Sequence, residues 1–323
     1  MTENIAERAR QLADRGRIQE ALALLAGAIV TGDREAIFLL ALWRLAGHHV
    51  GRDLSLADTL FQRAADAGHL QAKTISLAFR AHGAGGRRDW REAMRRLTAL
   101  SAGDPDAKRE HDLIEAMNLD DHGDSLSSIA AGTIKASPDI MIFRQLLTQE
   151  ECYFLIRRAT PLFAPATVVD PRSGFRIANP IRTSDAASFP LLRESPAIHA
   201  LNRRFARISG TEVAQGEPLQ ILRYVRRQEY RLHSDALPQG RNQRKWTLLA
   251  YLNSGYDGGE TYFPELGISF RGNAGDAILF CNVTPNGQPE QRMMHAGLPV
   301  KRGSKYLASR WIREAPIDLS ATS

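Results

Sequence analysis

A histidine and a carboxylate stand two residues apart in this sequence, as His233-Ser234-Asp235, and His295 follows 60 residues after Asp235. On an extended segment, residues i and i+2 point to the same side, so His233 and Asp235 can face one ion together. Two histidines and one carboxylate on one face of an octahedron leave three adjacent positions free, as a non-haem Fe(II) oxygenase requires. An H-x-D triplet alone is weak evidence, because chance produces many of them. We expect the other seven histidines at the surface or in packing.

The region around the triplet predicts a β-rich fold. Short runs of β-forming residues are separated there by Gly, Pro and Asn, which favours an antiparallel sandwich or barrel. The predicted strands are residues 140–143, 219–225, 247–252, 268–271, 277–280 and 306–311. Thr148 and the acidic residues that follow it predict a capped helix through Arg158.

The amino-terminal third repeats itself at an interval of 36 residues, seen in Ala21, Ala57 and Ala93 and again in Leu25, Phe61 and Leu97. Each copy predicts a pair of helices, which buries its apolar face only against the next pair. The phrase from Gly51 to Gly68 resembles Sel-one-like repeats, a tetratricopeptide-like subfamily. The resemblance implies an array that binds a protein or peptide along a concave face. A structural or dimerising role stays open.

From Asp120 to Ser137 the periodicity stops, and Gly, Ser, Asp and Ala dominate, which is linker composition. We therefore predict a multidomain α plus β chain. Its parts are a helical repeat solenoid at residues 1–118, a linker at 119–136, a β domain at 137–316 and a tail at 317–323. A length of 323 residues is consistent with two domains.

The β domain resembles the prolyl 4-hydroxylase family of Fe(II)/2-oxoglutarate dioxygenases over roughly residues 137–314. The ordered matches are Ser137-Pro138-Asp139-Ile140, Glu150-Glu151-Cys152, Arg182-Thr183-Ser184, Tyr224, Tyr230, His233-x-Asp235, Arg244-x-x-Thr247, Tyr251-Leu252-Asn253, Gly258-Gly259-Glu260-Thr261-x-Phe263-Pro264, His295-Ala296-Gly297-x-Pro299-Val300, Gly303-x-Lys305 and Trp311. The resemblance implies a double-stranded β-helix, or jelly roll. It also implies that oxidative decarboxylation of 2-oxoglutarate to succinate is coupled to hydroxylation of an unactivated C–H bond.

The resemblance implies three groups of site residues. The iron ligands, which are also the catalytic residues, are His233, Asp235 and His295. The co-substrate is contacted at its distal carboxylate by Lys305 and elsewhere by Tyr224, Thr247 and Thr261. A peptidyl substrate is faced by Tyr230, Arg244 and Trp311. The implied cofactors are Fe(II), 2-oxoglutarate and O₂, and ascorbate is left open as a further one.

One departure from the family pattern concerns the substrate. Arg226-Arg227 stands where the family often has a Pro-Gly turn, which adds positive charge near the cleft. Proline as the target is therefore in doubt, and an acidic peptide or another target residue becomes an alternative. Two further alternatives are a non-catalytic adaptor that acts through the repeats and a hydroxylase of a free amino acid or small molecule.

Composition bounds the class of protein. Hydrophobic residues make up 43% and charged residues 24%, which is typical of a globular chain. The apolar run from Ala21 to Val30 is too short to cross a bilayer, so we expect no membrane segment. Cys152 and Cys281 lack metal or disulfide spacing, and we expect a reducing cytoplasm. The net charge of +6 is modest and its excess falls in the carboxyl-terminal part without one basic stripe or tail, which does not favour a nucleic-acid partner. The oligomeric state does not follow from the sequence.

Overall fold

The computed structural model describes residues 4–127, 133–137, 140–169, 176–237 and 242–318. It divides the chain into two compact units. The helical unit takes its described residues from 1–125, 190–200 and 318–323, and the sheet unit takes them from 126–189 and 201–317. Among the described residues, no helix combines the length and the apolar character needed to span a bilayer.

Among the described residues, seven helices precede the first strand: α1 (Ile5–Asp14), α2 (Ile18–Val30), α3 (Arg34–Ala46), α4 (Leu54–Asp66), α5 (Leu70–His82), α6 (Trp90–Ser101) and α7 (Pro105–Ala116). Aspartates begin four of them, because Asp33, Asp53, Asp89 and Asp104 accept hydrogen bonds from first-turn amides that lack a partner within the helix. Gly47 ends α3 at a φ of 74°, a left-handed conformation that costs glycine little because it has no Cβ. The helical repeats predicted from the sequence are therefore present as helices.

The repeated apolar positions form the core of the helical unit. The alanines that recur at 36-residue intervals are all 0% exposed: Ala21, Ala57 and Ala93. The large positions that accompany them, Leu25, Phe61 and Leu97, are at most 1% exposed. The Phe61 ring packs against Phe38 and Phe79, with centroids 5.7 and 5.3 Å apart. Small side chains let the helices approach, and large ones fill the remaining space.

Residues beyond the predicted repeats also belong to the helical unit. Leu191 is 1% exposed and lies in the hydrophobic cluster built by α3, α4 and α5. A carboxylate oxygen of Glu110 accepts a hydrogen bond of 2.9 Å from the Ala197 amide. Residues 119–125, predicted as linker, group with this unit as well, because Gly123 lies against the Trp90 ring. Residues 128–132 of that linker lie outside the described residues.

The strands of the chain are β1 (Thr133–Ser137), β2 (Ile140–Phe143), β3 (Ala164–Pro165), β4 (Thr167–Val169), β5 (Arg176–Ala178), β6 (Asp185–Phe189), β7 (Leu219–Tyr224), β8 (Tyr230–His233), β9 (Arg244–Tyr251), β10 (Asp257–Gly258), β11 (Thr261–Phe263), β12 (Ile268–Phe270), β13 (Ala277–Cys281), β14 (His295–Gly297), β15 (Val300–Arg302) and β16 (Lys305–Arg313). They pair antiparallel throughout. The larger sheet has the order β1-β2-β13-β9-β16-β7-β6-β3, and the smaller has the order β12-β11-β14-β8. Two further pairs are β4 with β5 and β10 with β15.

The core of the sheet unit lies between the two main sheets. Leu249, Ile278 and Leu307 from the larger sheet form one buried cluster with Phe263 and Phe270 from the smaller. Two sheets packed face to face in this way form the jelly roll that the sequence predicts. The six predicted strands are all present, with ends shifted by at most three residues. The short strands β8, β11 and β14 were not predicted, because three or four residues carry little periodicity.

A buried ion pair joins two helices, α8 (Gln149–Ala159) and α9 (Pro196–Ser209). Thr148 and Glu151 exchange side-chain hydrogen bonds with each other's amides, which forms a capping box at the start of α8. Glu151 also receives two bonds of 2.7 Å from the guanidinium of Arg204. Because an unpaired buried carboxylate is strongly destabilising, this bidentate pair fixes α8 against the Arg204 part of α9.

Candidate metal centre and its cavity

The three residues predicted as metal ligands lie together in the structure. His233 ends β8, His295 begins β14, and the register of these paired strands sets the two histidines directly opposite each other. Asp235 follows in the loop after β8. The Nε2 atoms of His233 and His295 lie 3.5 and 3.6 Å from the two carboxylate oxygens of Asp235. All three side chains are buried, and one ligand atom of each lies within 4.8 Å of the others.

Backbone carbonyls orient both imidazoles. Nδ1 of His233 lies 2.7 Å from the Arg231 carbonyl oxygen, and Nδ1 of His295 lies 3.0 Å from that of Met293. A carbonyl oxygen only accepts, so each Nδ1 carries the proton and each Nε2 keeps its lone pair. Burial lowers the pKa of His295 to about 4, which keeps the ring neutral.

The Nε2 atom of His233 shows whether the site is suited to a metal ion. Its Nε2 is buried and has no hydrogen-bond partner among the described residues. A neutral imidazole whose Nδ1–H is fixed by a carbonyl, and whose Nε2 is buried and unpartnered, is in the state that a metal ligand requires. With a second imidazole whose Nδ1 is held by a carbonyl, and one carboxylate, the donor set fits Fe(II).

A chain of two hydrogen bonds orients the carboxylate. The Thr247 hydroxyl donates to Asp235 Oδ2 at 2.8 Å and accepts from Asn282 Nδ2 at 2.9 Å. Burial acts to raise the pKa of Asp235, but the two histidines and Thr247 outweigh it and hold the pKa well below its usual range. The sequence prediction placed Thr247 in the co-substrate pocket. In the structure its hydroxyl is committed to Asp235, and Asn282, which the sequence prediction missed, completes the chain.

Lys305 is a buried cation at the start of β16. It is 2% exposed, and its Nζ donates to the Gly259 carbonyl oxygen at 2.6 Å. Gly259 has a φ of 68°, and a Cβ there would lie 3.1 Å from Cδ of Lys305, so glycine permits this close approach. Burial lowers the pKa of Lys305 to about 7, against the opposing charge of Glu260. An ammonium has three donors, and one carbonyl leaves two for a ligand.

Tyr224 and Thr261, which the sequence predicts as co-substrate residues, line the same cavity as Lys305. The register of β7 and β16 pairs Tyr224 with Lys305, and the lysine Nζ lies 5.5 Å from the tyrosine ring centroid. Burial raises the pKa of Tyr224 to about 12, so its hydroxyl stays protonated and can donate to a carboxylate. The Thr261 hydroxyl lies 2.7 Å from that of Tyr251, which itself donates to the Phe270 carbonyl. Thr261 therefore donates to Tyr251.

The three residues predicted to face a substrate have different surroundings. Tyr230 stacks on His233 with ring centroids 3.5 Å apart, which places it beside the metal centre. Arg244 makes two hydrogen bonds to Glu217, of 2.7 and 2.9 Å, and its guanidinium lies 3.8 Å from the Trp311 ring centroid. Arg244 therefore supports Trp311, which lines the cavity, instead of offering its own charge there.

One cavity connects these groups. Its wall includes all three candidate ligands together with Tyr224, Tyr230, Thr261, Lys305 and Trp311. Two polar wall residues were not assigned a role from the sequence. Ser309 lies on β16 between Lys305 and Trp311, and the two-residue period of a strand could have revealed it. Arg182 holds its guanidinium 5.5 Å from the Tyr230 ring centroid, and the sequence had marked it only as part of the Arg182-Thr183-Ser184 match.

Comparison with known proteins also indicates an Fe(II)/2-oxoglutarate oxygenase. Residues 219–313 match the family model described as the 2OG-Fe(II) oxygenase superfamily. Prolyl 4-hydroxylase 1 of Arabidopsis thaliana is 33% identical over 208 residues, which cover 58% of this chain and 74% of that protein. Prolyl 4-hydroxylase subunit alpha-1 of Gallus gallus is 31% identical over 186 residues, covering 55% of this chain and 36% of that protein.

A solved structure is also similar: the 2OG complex of the viral collagen prolyl hydroxylase vCPH from Paramecium Bursaria Chlorella virus-1. It is 27% identical, covers 55% of this chain and 98% of that one, and has a TM-score of 0.45. The matched family and the buried donor set make this chain a dioxygenase that uses Fe(II), 2-oxoglutarate and O₂. The extent of the match to its plant relative shows that the chain belongs to the prolyl 4-hydroxylase family.

Proposed function

We propose that this dioxygenase hydroxylates a proline or another residue within a peptide or protein. The observation that carries the proposal is the buried set of His233, Asp235 and His295, which shares one cavity with the buried cation Lys305. Relatives named prolyl 4-hydroxylases support a peptidyl substrate. Fe(II) bound to these three ligands would supply the oxidising chemistry.

Different residues around the cavity then bind the co-substrate and the target residue. Lys305 and Tyr224 donate to the distal carboxylate of 2-oxoglutarate, because both are buried donors on neighbouring strands. Tyr230 and Trp311 form the wall against which the target residue packs, close enough to the ligand set to limit the reach of the oxidant. Arg182 extends that wall as a buried donor.

The adaptor alternative has no support from the site. A scaffold has no use for a buried imidazole lone pair or a buried ammonium, and both cost folding free energy. The helical unit instead has a role that suits an enzyme. We propose that it engages the peptide or protein substrate, since arrays of helix pairs present extended grooves.

The test is a two-step experiment on the full chain. Binding of Fe(II) and 2-oxoglutarate is first measured without oxygen, and oxygen is then admitted with co-purifying proteins and proline-containing peptides present. Mass spectrometry should find peptides that have gained one oxygen atom, with none in parallel reactions of Asp235→Ala. Products confined to free amino acids or small molecules would replace the peptide proposal by the small-molecule alternative.

A further inference from the structure

Positive charge in the helical unit is concentrated in one stretch of sequence. Residues 73–96, here called the basic stretch, contain seven lysines and arginines but only two acidic residues. Residues 1–118 as a whole hold 17 basic and 16 acidic residues, so 10 basic and 14 acidic residues remain outside the stretch. Residues 1–118 are therefore nearly neutral overall, but positive charge predominates in the basic stretch and negative charge predominates outside it.

Two cavities of the helical unit are lined from the basic stretch. One, of about 340 Å³, has Lys73, Arg95 and Arg96 around the buried Leu77. The other, of about 500 Å³, has Arg80, Arg87, Arg88 and Arg91 around the buried Trp90. Each cavity thus combines a basic rim with an apolar residue, a surface suited to a chain that carries acidic and apolar side chains.

Some of these cations are already neutralised within the unit, and others are not. Arg95 and Arg96 share Glu92, while Arg80 pairs with Asp58 and Arg91 with Asp121. Lys73, Arg87 and Arg88 have no ion pair within 4.0 Å in the part of the chain that the structure describes, but the charge of Arg88 acts on Asp120 and Asp124 from a longer distance. Lys73 at one cavity and Arg87 at the other therefore raise the local positive potential, which favours an anionic partner.

We propose that the basic stretch docks an acidic segment of the protein substrate, an inference that rests on the proposed peptidyl hydroxylase. A peptide fits better than a nucleic acid, because Asp66, Asp89 and Asp121 lie in the linings and interrupt any continuous basic stripe. Docking at a second site raises the effective concentration of the target residue at the metal centre without a new contact there.

The test measures binding directly and separately from catalysis. The probe is a fluorescently labelled peptide in which glutamate alternates with proline, and its affinity for the full chain is followed by fluorescence anisotropy. The docking variant is Lys73→Glu/Arg87→Glu/Arg88→Glu. The matched control, Arg8→Glu/Arg10→Glu/Arg15→Glu, makes the same change in net charge on exposed positions of the first helix. Thermal unfolding of each variant shows whether the helical unit stays folded, and Lys73→Ala/Arg87→Ala/Arg88→Ala replaces the docking variant if it does not.

The proposal requires that the docking variant binds the glutamate peptide at least about tenfold more weakly, or about 1.4 kcal/mol, while the control binds as the wild type does. Equal losses in both variants would show that only net charge matters and would overturn it. Tighter binding of a single-stranded oligothymidylate than of the peptide would overturn it in favour of nucleic acid. Succinate production without peptide should be the same in all variants. Its absence in the wild type, with peptide binding intact, would remove the proposed function and leave the docking surface.

Discussion

The helical unit and the sheet unit treat buried polar groups differently. In the helical unit the buried His69 accepts the Ala72 amide at Nδ1 and lies 3.3 Å from a Glu35 carboxylate oxygen at Nε2, and the buried Glu110 accepts the Ala197 amide. In the sheet unit, Nε2 of His233 has no hydrogen-bond partner among the described residues, and Lys305 uses one of its three donors on a carbonyl. A buried polar group that is fully used by its surroundings supports the fold. One that is left partly unused identifies a place for a ligand.

Removal of a metal ligand should have the largest effect, and it tests whether the partly unused polar groups of the sheet unit bind a ligand. His233→Ala, Asp235→Ala and His295→Ala should each abolish succinate production, because each deletes one of three donors to the iron. The thermal unfolding of the helical unit should not change. Fe(II) binding by calorimetry and succinate by chromatography check the prediction, with the exposed His48→Ala as control. Normal iron content and turnover in any ligand variant would remove that residue from the set.

Replacement of Lys305 tests whether a partly unused buried donor binds the co-substrate. Lys305→Ala should weaken 2-oxoglutarate binding about 100-fold, or ~3 kcal/mol, since a buried carboxylate would lose its charge partner. Titration of 2-oxoglutarate into the iron-loaded protein without oxygen measures the effect. Lys301→Ala, an exposed lysine four residues earlier, should bind 2-oxoglutarate normally. Unchanged affinity in the Lys305 variant would move the anchor to another donor of the cavity.

The hydrogen bonds behind Asp235 should matter less than the ligands themselves. Thr247→Val keeps the shape of the side chain but removes the donor to Asp235, and metal affinity should fall about 10-fold to 100-fold. Asn282→Ala, one bond further away, should have a smaller effect of the same kind. The exposed Thr59→Val in α4 is the matched control. The measurement is the dissociation constant of Fe(II) together with the spectrum of the Co(II)-substituted protein, which reports the orientation of the carboxylate. If the Thr247→Val and Asn282→Ala proteins gave the same Co(II) spectrum as the wild type, these two residues would not orient the Asp235 carboxylate.

A pH dependence follows from the burial of Lys305. Its pKa of about 7 lies below the ordinary value of 10.5, so between these values the unfolded chain holds more protons than the folded one. Its contribution to stability therefore increases as pH rises from about 7 towards 10.5. Binding of 2-oxoglutarate requires the charged ammonium, so at pH 8 binding should take up close to one proton. Calorimetry in two buffers of different ionisation enthalpy measures the uptake, and Lys305→Arg, which is always charged, should abolish it. An uptake of zero in the wild type would mean that the lysine is already charged.

The elements that could be predicted differ in kind from those that could not. His233, Asp235 and His295 stood out because they lie within a long series of ordered matches to the prolyl 4-hydroxylase family, and the repeats stood out because the alanine at Ala57 recurs at a fixed interval. Both signals are contained in residue type and spacing.

The remaining features depend on packing between distant segments. The partnership of Arg244 with Glu217 joins residues 27 positions apart, and that of Thr247 with Asn282 joins residues 35 apart. Leu191 joins the helical core from residues 190–200, a segment that lies in the sequence between two parts of the sheet unit. No local periodicity encodes such contacts, which is why Arg244 and Thr247 were predicted at the cavity surface.

The weakest effect on the site should come from overpacking the helical unit, which tests whether the two units are energetically separate. Ala57 is 0% exposed among large side chains, so Ala57→Leu should lower the free energy of unfolding by about 1–3 kcal/mol. Because Ala57 belongs to the helical unit and the ligand set to the sheet unit, the dissociation constants of Fe(II) and 2-oxoglutarate should not change. Ala23→Leu adds the same volume at an exposed position of α2 and should leave stability nearly unchanged. Weaker metal binding in the Ala57 variant alone would show that strain in the alanine-rich core reaches the iron ligands. The two units would then differ in how they use buried polar groups, but they would not be energetically separate.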